Sequence, residues 1–183
     1  LFPENYHYRS RLTKDVLHGM DQLVSECRTT LGSLKGKVVL DVGCNDGSLL
    51  NIFRKNKSIT IGVEPTNAYK DAQKKGHKIY KGYMDEKISK KIKNNHPKID
   101  VITFTNVFAH IEDLKRLIKN LKKIISNQTI LIIENHYLGS IVSKKQFDTF
   151  YHEHPRTYSF TSFLKISKLL NMRIMKCSFP KRY

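Results

Sequence analysis

Four consecutive residues, Tyr151-His152-Glu153-His154, gather phenol, imidazole and carboxylate, side chains that move protons in many active sites. Two further histidines, His110 and His136, stand apart in sequence. Imidazole titrates near neutral pH without tuning, so each is a candidate acid or base. A lone histidine is more often solvated or structural than catalytic, and a set of them matters when the fold brings them to one place. A second set has a different character. Asp41-Val42-Gly43-Cys44-Asn45-Asp46-Gly47 intersperses acids with glycines, and Gly62-Val63-Glu64-Pro65 follows further on. Glycine lets a ligand approach the backbone closely, and a carboxylate accepts hydrogen bonds from hydroxyl groups.

These residues need elements to hold them. Val16, Met20, Leu23, Val24, Cys27 and Leu31 recur at helical spacing, with Thr13 or Ser10 able to cap the start. Gly32 and Gly36 bracket a turn, and Lys37 to Val42 is an apolar run of strand length. From there the pattern alternates. Helices are predicted over 47–55, 69–75, 85–94, 111–125 and 161–170, and strands over 59–64, 78–82, 99–105, 129–134 and 173–177. The clearest helix, 111–125, turns Ile111, Leu114, Leu117, Ile118, Leu121, Ile124 and Ile125 one way and its lysines the other. Strands apolar on both faces, alternating with helices, specify an open, mostly parallel α/β sheet of Rossmann-like type, covered on both sides. The expected organisation is a helical lead-in over 1–36 and one core domain over 37–183. Residues 135–158 form a connection long for such a fold, a common place for function.

Ligands of open α/β sheets bind at the carboxyl ends of the strands. The glycine loop 41–47 sits at the first such end. A dinucleotide fingerprint would read GxGxxG, and Asn45 stands where the second glycine belongs. Asp41 and Asp46 would repel a pyrophosphate but suit a ligand bearing an ammonium and a sulfonium; at about 4 Å such charges interact by several kcal/mol. The loop therefore favours S-adenosylmethionine over NAD. Glu64 follows Asp41 at close to the spacing of about 20 at which an acid meets ribose hydroxyls. Pro65 continues that turn, and Asn106 and Val107, at the end of the fourth strand, fall where the methionine or adenosine portion would lie.

Composition narrows the class. In 183 residues there are 33 Lys and Arg against 16 Asp and Glu, a formal charge of +17. The lysines are spread along the chain without an Arg-rich arm or an aromatic RNA-binding motif, which reads as a solvated surface and argues against a nucleic-acid partner. Such a surface still draws in an anionic small molecule. No apolar run has the roughly 18 residues of a membrane span, and no leader pattern opens the chain. Cys27, Cys44 and Cys177, odd in number and far apart, suit reduced thiols in the cytoplasm and offer no paired zinc ligands. Of His152, Glu153 and His154 only i and i+2 would share a strand face, and no third nearby ligand completes a site at metal-binding spacing, so no metal site is expected.

Together DVGCNDGSLL, GVEPT, TNVFAHI and FDTFYHEHPRTYSF resemble the sugar C-methyltransferases, as does the opening NYHYRSRLT. The likeness runs from about Tyr6 to Cys177, and YHEH with NVFAHI is its discriminating part. It implies the class I methyltransferase fold, S-adenosylmethionine as cofactor and a nucleotide-linked keto-deoxysugar as substrate, methylated on carbon through an enolate. It places Tyr151, Glu153, His154 and His110 in the active site. His154 is the expected base, with Tyr151 as an alternative; Glu153 would orient it or contact the sugar, and Tyr151 and His110 would meet the keto or enolate oxygen. Family members also carry a cysteine-rich zinc lobe and a further C-terminal region, neither present here, and the seventh strand of the sheet is missing. The other readings are a methyltransferase of this fold acting on another small molecule or RNA, and a binding protein that keeps the fold without chemistry.

Overall fold

Short apolar runs bounded by turn residues suit the strands of a sheet covered by helices, and five strands form. The computed structural model describes residues 7–179. Strands β1 (Val38–Val42), β2 (Ile59–Glu64), β3 (Lys78–Lys81), β4 (Val101–Thr105) and β5 (Ile130–Glu134) pair in parallel in the order β3-β2-β1-β4-β5. The order reverses between β1 and β4, so the crevice expected to take a ligand opens at their carboxyl ends.

Alternate residues of each strand feed two layers of core. Val39 and Val101 meet Leu23, Val24 and Cys27 of α1 (Lys14–Leu31) and Leu49 and Phe53 of α2 (Ser48–Lys55). Leu40, Val42, Ile102 and Phe104 face the other way. There they meet Ile88 and Ile92 on one helix (Glu86–Asn95), Leu117 and Leu121 on another (Leu114–Ile124), and Ile166 near the chain's end. Numbered in order, these three helices are α4, α5 and α7 (Phe160–Leu169); α3 (Tyr69–Lys74) and α6 (Leu138–Ser143) are shorter. Each such side chain, fully buried, stabilises the fold by about 1.5–3 kcal/mol.

Three expectations change. The helix predicted from Ile111 begins at Leu114, because the Asp113 carboxylate accepts from Arg116 N and caps it there. Phe108–His110 instead form one 3₁₀ turn. Residues 173–177 do not form a sixth strand. A strand exists only in a ladder, and Lys176 is drawn instead to Glu26 on α1, 3.0 Å away. Among the described residues β5 is thus an edge strand, half-buried along its length. The stretch 135–158, predicted irregular, contains α6 and a 3₁₀ turn at Phe147–Thr149. A bridge between Tyr137 and Tyr158 closes its base, and the buried Tyr158 ring packs edge-on to Phe108 and stacks on Phe163.

Candidate functional site

The glycine loop is shaped by buried acids. Gly43 and Gly47 both have left-handed φ angles, +77° and +75°. A Cβ at Gly43 would run into the Val107 side chain, and one at Gly47 into His77 and Ala72. Glu64, buried at the end of β2, receives Asn45 N at 2.9 Å on one oxygen. Its other oxygen receives Thr66 N at 2.9 Å and the Thr66 hydroxyl at 2.6 Å. A carboxylate has about four acceptor positions, so one remains beside Asn45. A ribose that offered both hydroxyls would have to displace the Thr66 hydroxyl. Pro65 is half-buried at the start of the same turn.

Asp41 lies beneath this surface, accepting from the Thr103 hydroxyl at 2.7 Å. Burial raises its pKa to about 7, with a further push from Glu64. Asp46 is also buried, yet burial is outweighed by hydrogen bonds from Ser48 and by the Lys75 ammonium, which hold its carboxyl below the ordinary range. The charge expected of Asp46 is therefore already balanced within the protein, by Lys75 at 3.4 Å and Arg11 at 3.2 Å.

The N-terminal segment crosses this loop as a strap. Ser10 N donates to the Asn45 side chain, which donates in turn to the Tyr8 carbonyl. Arg9 reaches Asp71 at 2.7 Å and Asn67 at 3.0 Å, and Arg11 bridges Asp46 and Asp71. The side chain of Asn45 is thus engaged by the strap, leaving its backbone to Glu64. No motif announced this contact; the alternating arginines of Tyr8-Arg9-Ser10-Arg11 were its available signal. Asn5 and Tyr6 of the opening motif lie outside the described residues.

The proton-active residues assemble at the ends of β4 and β5. Asn106, at φ +55°, donates its N–H to the Glu134 carbonyl and turns the chain so that Val107 meets Gly43. Asn135 accepts from Ala109 N. Arg156 then clamps the long connection to this turn: its N–H donates to Ala109 O, Nε to Ile111 O at 2.8 Å and a terminal nitrogen to Glu112 O at 2.6 Å. His154 is held centrally, its ring 4.2 Å from Tyr151, 4.7 Å from His110 and 5.3 Å from His136.

The partners settle where protons sit. His154 Nδ1 lies 3.0 Å from the Thr149 carbonyl, which can only accept, so Nδ1 carries the hydrogen. In the neutral ring Nε2 then offers a lone pair to the Tyr151 hydroxyl, 3.1 Å away. His110 Nδ1 likewise donates to the Glu153 carbonyl at 2.6 Å. Burial lowers the His110 pKa, against the pull of the Glu153 backbone and assisted by His154. Burial and Glu153 raise that of Tyr151. The Glu153 carboxylate faces His152 at 3.9 Å rather than His154, so Thr149 is what orients His154. Thr149 acts through its backbone carbonyl and Arg156 chiefly through its guanidinium, and neither was singled out from sequence; His136 was visible as a histidine beyond a strand but had no assigned role. Among the described residues no three His, Cys, Asp or Glu side chains are placed to hold a metal ion, and no helix is long and apolar enough to cross a membrane.

Known proteins resemble this chain in sequence and in fold. Over 172 residues the chain is 24% identical to the C-methyltransferase NovU of Streptomyces niveus, covering 93% of this chain and 41% of that protein. It is 32% identical to the ubiquinone biosynthesis O-methyltransferase of Coxiella burnetii over 96 residues, 51% of this chain and 41% of the other. The chain thus spans less than half the length of these curated relatives. Magnesium protoporphyrin IX methyltransferase from Synechocystis PCC 6803, solved with bound SAM, superposes with a TM-score of 0.63 at 15% identity, over 92% of this chain and 76% of that one. The methyltransferase-domain family model matches residues 8–173, from the strap to the last helix and just beyond, and this chain belongs to that family.

Proposed function

We propose that the chain binds S-adenosylmethionine at the carboxyl ends of β1 and β2 and directs its methyl group to a carbon of a nucleotide-linked keto-deoxysugar. The residues present suit that cofactor: Glu64 keeps an acceptor position for a ribose hydroxyl, Asp41 supplies a buried acid, and Gly43, with no Cβ, leaves its backbone open beside the Val107 side chain. Bound there, it would supply an electrophilic methyl group. The Synechocystis structure, with SAM in the same fold, supports the assignment.

The observation that carries the carbon-methylation reading is the Tyr151–His154 pair. Carbon beside a ketone becomes nucleophilic only when a base removes its proton. Tyr151 donates to a nitrogen whose opposite side is anchored on Thr149, so the two alternatives for the base become one relay. As the Tyr151 oxygen takes the substrate proton, its own passes to His154 Nε2. The likeness to NovU, a C-methyltransferase by name, points the same way.

Two measurements test the proposal on this chain. Calorimetry should show S-adenosylmethionine binding more tightly than NAD. In deuterated water the carbon-bound proton next to the ketone of a nucleoside-diphosphate keto-deoxysugar should exchange, and His154→Ala should slow that exchange about 10²- to 10⁴-fold with cofactor affinity unchanged. Undiminished exchange in a folded His154→Ala protein would sink the relay.

A further inference from the structure

Making an enolate requires two groups, one to take the proton from carbon and one to receive the charge that moves onto oxygen. The Tyr151–His154 pair fills the first role and, in doing so, leaves the second open. The Tyr151 hydroxyl directs its proton at His154 Nε2. His110, the other residue expected to meet the oxygen, is committed to the protein: Nδ1 donates to the Glu153 carbonyl at 2.6 Å, and the Asn106 backbone also bonds the ring.

His136 is the remaining imidazole against His154, since His152 faces the Glu153 carboxylate at 3.9 Å. It extends from the end of β5, directly beyond Asn135, whose side chain pins the β4 turn. Its ring packs 5.3 Å from that of His154 while its outer edge stays exposed. Among the described residues neither of its ring nitrogens has a protein hydrogen-bond partner. With Tyr151, His154 and His110 engaged by the protein, the open edge of His136 is the one available to a ligand at the mouth of the cluster.

We propose that His136 is a catalytic residue, the donor that holds the keto oxygen of the substrate as it becomes an enolate; this rests on the keto-sugar reading above. The step balances without any other reagent. The carbon–hydrogen electron pair becomes the carbon–carbon π bond, and the carbonyl π pair moves onto oxygen. The proton goes to the Tyr151 oxygen as the phenolic proton moves to His154 Nε2. His136 donates its N–H to the oxygen and keeps its proton throughout.

The protonation state agrees with that role. Desolvation of the packed face and the nearby His154 lower the His136 pKa, outweighing Glu134 behind it. A neutral imidazole has one N–H to give and adds no positive charge to a site that must accept a proton beside it. It also gives His154 a neutral neighbour, which keeps that ring able to receive the proton.

The test compares His136→Ala and His136→Gln with the unaltered chain, using a nucleoside-diphosphate 4-keto-6-deoxysugar as probe. Deuterium incorporation beside the ketone should fall about 10²- to 10³-fold in His136→Ala, the usual loss for one oxyanion donor. His136→Gln, which retains an N–H, should recover at least about tenfold of it. Thermal melting should be unchanged in both, since the side chain is exposed. Independently of turnover, diethylpyrocarbonate should modify His136 faster than His110 or His154, and the nucleotide sugar should shield it. Exchange at the unaltered rate in His136→Ala, alongside exchange in the parent chain, would overturn the donor role and spare the keto-sugar reading. A parent chain that exchanges nothing would overturn both.

Discussion

The two halves of the sheet's carboxyl edge are built in opposite ways. On the β1–β2 side the functional groups are buried acids, two of them held largely by neighbours close in sequence: Glu64 by Thr66, Asp46 by Ser48. On the β4–β5 side they are half-exposed rings held by carbonyls from distant parts of the chain: His110 by Glu153, the Arg156 clamp by Ile111 and Glu112. The first half has a fixed shape before any ligand arrives. The second has reactive edges left open. Cofactor recognition needs the former, because a preformed acceptor does not reorganise on binding. Proton transfer needs the latter, because a base must have an accessible lone pair.

Crossed substitutions test that division most strongly. Glu64→Ala strips the acceptor from Asn45 N, Thr66 N and the Thr66 hydroxyl, all largely buried. An unsatisfied buried group costs about 1–3 kcal/mol, so a loss of about 3 kcal/mol in urea unfolding is expected, together with weakened S-adenosylmethionine binding. Tyr151→Phe removes one hydrogen bond at an exposed ring and should change stability by less than about 1 kcal/mol while slowing proton exchange. Equal stability losses from both substitutions would erase the distinction between the two halves.

The same contrast explains what could be read from sequence. Contacts two residues apart leave a local trace, so the glycine loop, Glu64 and the five paired strands were all visible as patterns. Asp113 was equally local, but the apolar periodicity running back to Ile111 masked its capping role. Residues 173–177 carry strand-like composition, yet strand formation depends on a partner that composition cannot supply. The reaction cluster depends on pairs more than forty positions apart, such as His110 with Glu153 and Arg156 with Ile111. Its side chains were recognisable by type, and by resemblance, but the Thr149 carbonyl could come from any residue type, and the Arg156 guanidinium meets its acceptors, the Ile111 and Glu112 carbonyls, only in the folded chain.

A smaller effect separates the halves by pH. His77 supports the glycine loop from below, its ring under Gly47, bonded to Thr60 at 2.8 Å and Asn51 at 3.0 Å. Burial, then Arg54 and Lys75, lower its pKa from 6.5 to about 4. Between those values the unfolded chain binds the extra proton, so this contribution is complete above pH 6.5, declines as pH falls and levels off below about 4. With allowance for partial solvation its size is about 2 kcal/mol. Asp41 opposes it, since its raised pKa favours the folded state as pH falls from about 7. The comparison is therefore parent against His77→Gln, in which Asp41 cancels. Unfolding free energies of the two proteins should converge as pH is lowered from 7 to 4. His136→Gln should shift the same curve by less than about 0.5 kcal/mol, because an exposed ring is screened by solvent. A steeper change from His136 than from His77 would mean that the β4–β5 half, not the β1–β2 half, carries the buried charge.

The smallest expected effect lies in the strap, where residues from the start of the described chain reach the β1–β2 half. Arg9 is largely covered and pairs with the partly exposed Asp71, whose pKa is lowered chiefly by that guanidinium. Neither group is deeply buried on both sides, so Arg9→Ala should cost about 1 kcal/mol or less. If the strap tightens the cofactor loop through Asn45 and Asn67, the loss should surface mainly as faster release of S-adenosylmethionine, up to about fivefold at low salt. Salt screens contacts of this kind, so raising it from about 0.05 to 0.5 M should bring the parent's release rate toward that of the variant. Stopped-flow displacement at the two salt concentrations reads this directly. An Arg9→Ala protein that releases cofactor at the parent's rate in low salt would show the strap to be a passive covering. The β1–β2 half would then owe its shape to Glu64, Asp46 and the glycines alone.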